Sequence, residues 1–275
     1  MELRMNTLLK LTAIATLAMA SNIASAVNVG GVIFDPDYVF AGPPSNSDFD
    51  ADTAFTQWYV SNANAGTVNP TNALIPSGVL PDGTTLQGVG EFGFMNGLGI
   101  NTSSVTGGDA ASFCPGCELT YVFNGIEVAG GGALLVGGTV DIYVDNTADF
   151  NPGAISVAAA QDGVLWLSLA VEQIAFTADG SNGFLKGFVS ILLNVLATGD
   201  VLVDGLAAQS LDTNGQPDGS DLVYSASANF LNGSSAAPYG NGTADLKGNS
   251  IPVPGTLLLI GLGILGFGVA RRKRA

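Results

Sequence analysis

The chain has 275 residues, with 23 acidic and 8 basic side chains, no histidine and a formal net charge of −15. That charge repels nucleic acid, whose binding rests on cationic contacts to phosphate, and it repels anionic lipid headgroups as well. Without histidine the commonest general base and most nucleophile-activating dyads are missing, so a protein that is not an enzyme is expected.

Residues 1–26 have the order of a secretory signal peptide. Arg4 and Lys10 precede and flank an apolar core, Leu11 to Met19, and Ala24-Ser25-Ala26 is a small-residue cleavage box. The apolar core is too short to span a bilayer. Cleavage after Ala26 makes Val27 the first mature residue, with the Sec translocon and signal peptidase as the expected partners.

Residues 27–250 form the expected exported domain. It retains only Lys186 and Lys247 against 22 acids, a formal −20. The partners such a charge permits are divalent cations, neutral glycans and cationic polymers; its plainer consequence is solubility. Eleven Asn-Gly or Asp-Gly pairs punctuate the domain, beginning at Asp82, Asn96, Asn124, Asp162, Asp179, Asn182, Asp204, Asn214, Asp218, Asn232 and Asn241. These dipeptides accept the positive φ of tight hairpin turns. Between them apolar residues alternate, as in Leu119, Tyr121, Phe123, in Val140, Ile142, Val144, and in Leu222, Tyr224, Ala226, Ala228, Phe230. A period of two with one apolar face marks half-buried antiparallel strands. The expected fold is mainly β, a single antiparallel β-sandwich or jelly-roll-like domain. Val164 to Phe176 is almost continuously apolar and fits a strand buried on both faces. Residues 188–196 fit a helical stripe or a strand; Gly187 and Gly199 and the β neighbours favour strand. Residues 41–50 and 61–85 are expected to be loops, and 234–250 a short final strand plus a spacer.

Cys114-Pro115-Gly116-Cys117 holds the chain's two cysteines. In an oxidising compartment a disulfide across the Pro-Gly turn is expected. A redox-active pair would instead open a helix, and a zinc knuckle would need two further ligands. Asp212, Asn214, Asp218 and Asp221 pack oxygen ligands of the kind calcium takes into ten residues. The spacing is not that of an EF-hand, with Pro217 and Val223 at key positions, and the same residues also build ordinary turns. Asp141, Asp145 and Asp149 are a second acidic strip. Trp58 is either a sugar-stacking surface or core, and Trp166 lies in an apolar run and is expected to be buried. The many carboxylates leave a paired-carboxylate glycosidase open as an alternative.

The chain ends in a tripartite tail, residues 251–275. Pro252-Val253-Pro254-Gly255-Thr256 follows Ile251, an apolar stretch runs to Ala270, and Arg271-Arg272-Lys273-Arg274 stop it. Prolines keep the motif extended. Counted from Ile251, the stretch is about 20 residues or roughly 30 Å as a helix, just enough to span, with a transmembrane helix expected over about 255–270. The four cations hold its end on the cytoplasmic side. Gly261, Gly263 and Gly266 match a dinucleotide-binding pattern, but no strand–helix–strand unit surrounds them.

The tail resembles the PEP-CTERM protein-sorting domain read by exosortases; Val253 stands where that family usually has Glu. A second resemblance rests on residues 29–37, 113–123 and 216–222, which look like exported PEP-CTERM proteins linked to bacterial flocculation. Together they imply a protein exported through an inner-membrane-anchored intermediate to the cell surface or extracellular matrix. There it would be a structural or adhesive component of polysaccharide-based biofilm or flocs, processed by an exosortase. Exopolysaccharide is an open partner, and no cofactor is expected beyond the calcium considered above. A calcium-assisted carbohydrate-binding module is the alternative.

Overall fold

The computed structural model describes residues 27–34, 49–77, 79–96, 98–99, 113–151, 155–180, 183–196, 206–232 and 234–251. These belong to one compact unit, Ala26–Ile251. The signal segment 1–26 and the expected helix over 255–270 lie outside the described residues. Among the described residues no helix is long and apolar enough to cross a membrane.

Among the described residues are twelve strands and two short α-helices, besides single 3-10 turns: β1 (Val27–Val29), β2 (Val32–Phe34), β3 (Phe49–Val60), β4 (Thr85–Met95), β5 (Leu98–Gly99), β6 (Glu118–Ala129), β7 (Leu134–Val136), β8 (Thr139–Asp145), α1 (Val157–Gln161), β9 (Val164–Ala178), β10 (Lys186–Val195), α2 (Leu206–Leu211), β11 (Leu222–Asn232) and β12 (Ser235–Gly248). Eight of them, β3, β4, β6, β8, β9, β10, β11 and β12, each pair antiparallel with the next, and β12 returns to β3. The result is one barrel-like sheet that closes on itself, where the sequence suggested two facing sheets. Local alternation specifies which side chains face inward, and both architectures use it. Closure depends on the register between β3 and β12, such as Thr56 opposite Asn241, which no local pattern encodes.

The lumen is filled by rings lying over glycines. Gly88 and Gly90 of β4 stand opposite Phe123 and Tyr121 of β6. A Cβ at Gly90 would lie 2.4 Å from the Tyr121 ring, and one at Gly88 2.2 Å from Phe123. Gly242 of β12 makes the same room for Phe55, at 2.3 Å. Asn241-Gly242 is therefore a mid-strand pair and not the turn its composition suggested. Asn124-Gly125 likewise sits inside β6, at the irregularity between its pairings with β8 and β7, with Gly125 at φ 74°. In mid-lumen the Tyr121 hydroxyl meets Thr53 Oγ1 at 2.9 Å and the Tyr224 hydroxyl at 3.2 Å, so the buried polar atoms satisfy one another.

A second, smaller core lies outside the barrel wall. Trp58, Val60, Val89 and Val122 point outward from β3, β4 and β6 and are covered by Phe150, Ala160 and loop residues such as Val68 and Ala73. Gln87 holds that cover in place: its Oε1 accepts from Trp58 Nε1 and Asn69 N, and its Nε2 donates to Thr67 O and Asn124 Oδ1. Trp58 is thus fully buried and offers no sugar-stacking surface; Trp166 is buried too.

Three expectations change at this level. Segment 164–176 is a strand, but its outward half is solvated, with Val164 47 % exposed and Glu172 and Gln173 exposed, because only the lumen face is covered. Residues 49–50 already belong to β3. Segment 234–250 holds a 14-residue strand and almost no spacer, since β12 must run the full length of the barrel to pair with both β11 and β3. Segment 186–195 is the strand expected.

Lumen glycines and outward glycines should respond oppositely to a methyl group. Gly90→Ala is expected to cost about 1–3 kcal/mol by overpacking against Tyr121. Gly93→Ala meets nothing closer than 4.0 Å and is expected to be neutral or mildly stabilising. Urea unfolding midpoints of the two variants check this.

Candidate functional site

One end of the barrel gathers the features that the sequence marked. β1 and β2 form a hairpin beginning at Val27, the residue expected to start the mature chain. Trp166 Nε1 donates to Val29 O at 2.7 Å, and Ile33 N donates to Phe113 O at 2.7 Å, so the hairpin is tied to β9 and to the cysteine turn. Cys114 and Cys117 are joined by a disulfide, both buried, with Gly116 at φ 73° and Cys117 N donating to Cys114 O. Strand β6 starts at the next residue, so no helix N-terminus follows to activate a thiol. The bridge fixes the turn that launches β6.

Glu118 opens that strand and is fully buried. Register sets it directly opposite Asp145 of β8, and the following loop folds back so that Phe150 N donates to both of its carboxylate oxygens, at 3.2 and 3.1 Å. Asp149 completes the group: oxygens of Glu118, Asp145 and Asp149 lie within 4.8 Å of one another. Burial pushes the Glu118 carboxyl up to about 7; the backbone N–H groups of Phe150 and Asp149 oppose the rise, and the charges of Glu91 and Asp149 add to it. An all-oxygen group of this kind suits a hard divalent cation better than a transition metal. Of the acidic strip suggested by the sequence, Asp145 and Asp149 enter the cluster, while Asp141 accepts from Ser168 Oγ instead. Glu118 was not foreseen, because its approach to Asp145 is a matter of strand register.

The segment containing Asp212, Asn214, Asp218 and Asp221 is organised differently from a ligand loop. Asp221 is 2 % exposed and accepts three backbone N–H bonds, from Val195 at 2.8 Å, Thr213 at 2.7 Å and Asn214 at 2.6 Å. It locks the α2–β11 connection onto the end of β10. Asp212, Asn214 and Asp218 are exposed, and Asn214 and Asp218 hold positive φ in the turns that their Asn-Gly and Asp-Gly pairs favour. Among the described residues the one carboxylate trio drawn together is at Glu118.

Beside this loop lies the last described part of the chain. Ser250 is buried, and Ile251 N donates to Ser210 O of α2 at 2.7 Å. Pro252, Val253, Pro254, Gly255, Thr256 and the basic residues 271–274 lie outside the described residues. The folded body therefore runs to the residue before the Pro-rich motif.

Two predictions follow from these carboxylates. Asp221→Ala leaves three N–H groups without an acceptor and should cost at least about 2 kcal/mol, whereas exposed Asp212→Ala should stay within about 0.5 kcal/mol, both read by thermal unfolding. Glu118 has a folded-state pKa near 7 against an ordinary 4.5, so the folded state holds the proton more tightly than the unfolded chain. Its contribution is fully present below 4.5 and is lost as pH rises through 7. Asp50, raised to about 6 by burial and by Asp245 against the pull of Lys247, acts in the same direction. In chelator-containing buffer the protein should be more stable to urea at pH 5 than at pH 8, and Glu118→Gln should flatten that slope. Stability that rises from pH 5 to 8 would contradict the assignment.

Compared with family models, the chain matches the PEP-CTERM protein-sorting motif over residues 250–274. Comparisons with curated proteins and with solved structures return no match.

Proposed function

We infer that the PEP-CTERM protein-sorting motif matched at residues 250–274 directs export through a membrane-anchored intermediate and processing by an exosortase. From this premise we propose that the protein is a non-enzymatic component of the extracellular matrix, with the barrel as its structural or adhesive part. The observation that carries the reading is the motif's position: it begins at Ser250, two residues after β12 ends at Gly248. One compact domain is thus followed at once by its address. Closure supports the matrix role, because the eight barrel strands are paired on both sides and offer no long free edge for aggregation outside the cell. The disulfide and the formal −20 of residues 27–250 fit an extracellular, highly solvated setting.

In a host that has an exosortase, the envelope-associated protein should begin at Val27 and lack the segment beyond about Pro254. Intact-mass measurement decides this. A C-terminus still ending at Ala275 would reduce the tail to a membrane anchor and remove the sorting step from the account.

A further inference from the structure

Strand register draws two rows of outward side chains across six consecutive strands of the wall, β4, β3, β12, β11, β10 and β9. One row is Phe94, Asp52, Asp245, Ser225, Ser190 and Ala175; the adjacent row is Glu91, Ala54, Thr243, Ser227, Phe188 and Thr177. Together they line a furrow of about 960 Å³, and a second hollow of about 420 Å³ continues past Phe188 towards Asp179 and Lys186. Five inter-strand spacings of ~4.8 Å give each row a contour of about 24 Å along the curved wall, the length of several sugar rings.

Each row carries one aromatic ring, Phe94 at the β4 end of the first and Phe188 on β10, next to the last position, Thr177, of the second. Phe94 is 46 % exposed and Phe188 61 % exposed, and neither contributes to the buried core. Between the rings the floor is kept low by Ala54 and by the hydroxyls of Ser190, Ser225, Ser227 and Thr243, each able to donate and accept. Three carboxylates, Asp52, Glu91 and Asp245, stand on the β4 side. The neighbouring cation is Lys247, held by Asp245 at 2.6 Å and Asp50 at 3.7 Å. Lys247 offsets one of the three carboxylate charges, so that half of the furrow keeps a net negative charge.

These features choose among occupants. A peptide cannot add as a strand, because β3 and β9 to β12 are paired on both sides. Nucleic acid and uronic-acid polymers meet like charge. A ring-built polymer with hydroxyls and positive groups meets stacking faces, hydrogen-bonding partners and opposite charge together. We propose that this furrow binds an extended amino-sugar polymer, with sugar faces on Phe94 and Phe188 and ammonium groups against Asp52, Glu91 and Asp245. The proposal rests on the reading of the barrel as a matrix component and names the partner class of that role.

Calorimetric titration of the exported protein with a glucosamine hexamer, at fixed ionic strength, tests it. Hexalysine serves as a charge-matched control without rings and cellohexaose as a neutral one. The glucosamine hexamer should bind tightest, and Phe94→Ala with Phe188→Ala should weaken it about tenfold or more while leaving hexalysine within about twofold. Both substitutions are on the outer wall, and an unchanged near-ultraviolet circular dichroism spectrum confirms that the barrel is intact. Binding that survives the double substitution, or that hexalysine equals, is diffuse attraction to an acidic surface and overturns the proposal. Equal binding of cellohexaose overturns the role of the carboxylates. In each case envelope fractionation of the wild type is read alongside: failure of the furrow leaves the protein in the envelope, whereas failure of the matrix reading removes it from there.

Discussion

The structure depends on filling the interior of an eight-stranded closed sheet. A barrel of this size has an interior that side chains can just fill or that can hold one small ligand. Here that space is taken by Phe55, Tyr121 and Phe123, whose rings lie where Gly242, Gly90 and Gly88 have no side chain. Large residues on one strand and glycine on its neighbour keep the wall regular while the lumen stays packed. The hydroxyls of Tyr121, Tyr224 and Thr53 meet at the centre, so these aromatic residues bring polar atoms inside without leaving them unpaired. Closure also fixes what the outer wall can be. Since the barrel core faces inward, outward positions are free to be small and polar on β10 to β12, Phe188 apart, and apolar at Trp58, Val60, Val89 and Val122 of β3, β4 and β6, where the loop after β3 and α1 cover them.

Strand identity was legible wherever one face is apolar: Leu119 to Phe123, Val140 to Val144 and Leu222 to Phe230 each belong to a strand with those residues inward. Architecture was not legible, because alternation is the same in a sandwich and in a barrel. The eleven turn dipeptides misled at Asn124 and Asn241 for a related reason. Glycine permits a turn, and it equally permits a ring to cross a strand, and only the residue opposite tells which. Trp58 shows the same limit from the other side, since its burial comes from residues distant in the chain, such as Phe150 and Ala160.

Site chemistry divided along the same line. The disulfide follows from two cysteines three apart and could be foreseen. Asp221 could be picked out as special but not assigned, because accepting from Val195 N requires β10 and β11 to be neighbours. Strand register sets Glu118 opposite Asp145, the loop after β8 adds Asp149, and register again forms the two rows that carry Phe94 and Phe188. The C-terminal motif needed no fold at all, being a linear address that the family comparison finds in the sequence itself.

The folded body and the address share residues 250 and 251: β12 ends at Gly248, Ile251 is fastened to α2 through Ser210, and the matched motif spans 250–274. A transplant tests most directly whether the address acts without that body. Residues 250–275 would be joined to an unrelated secreted reporter, and the reporter's distribution between membrane, cell surface and medium measured with and without the exosortase. The account predicts that the reporter is held at the membrane without the enzyme and is passed to the surface fraction with it. A reporter whose distribution ignores the enzyme would contradict the account, because the address would then need the barrel.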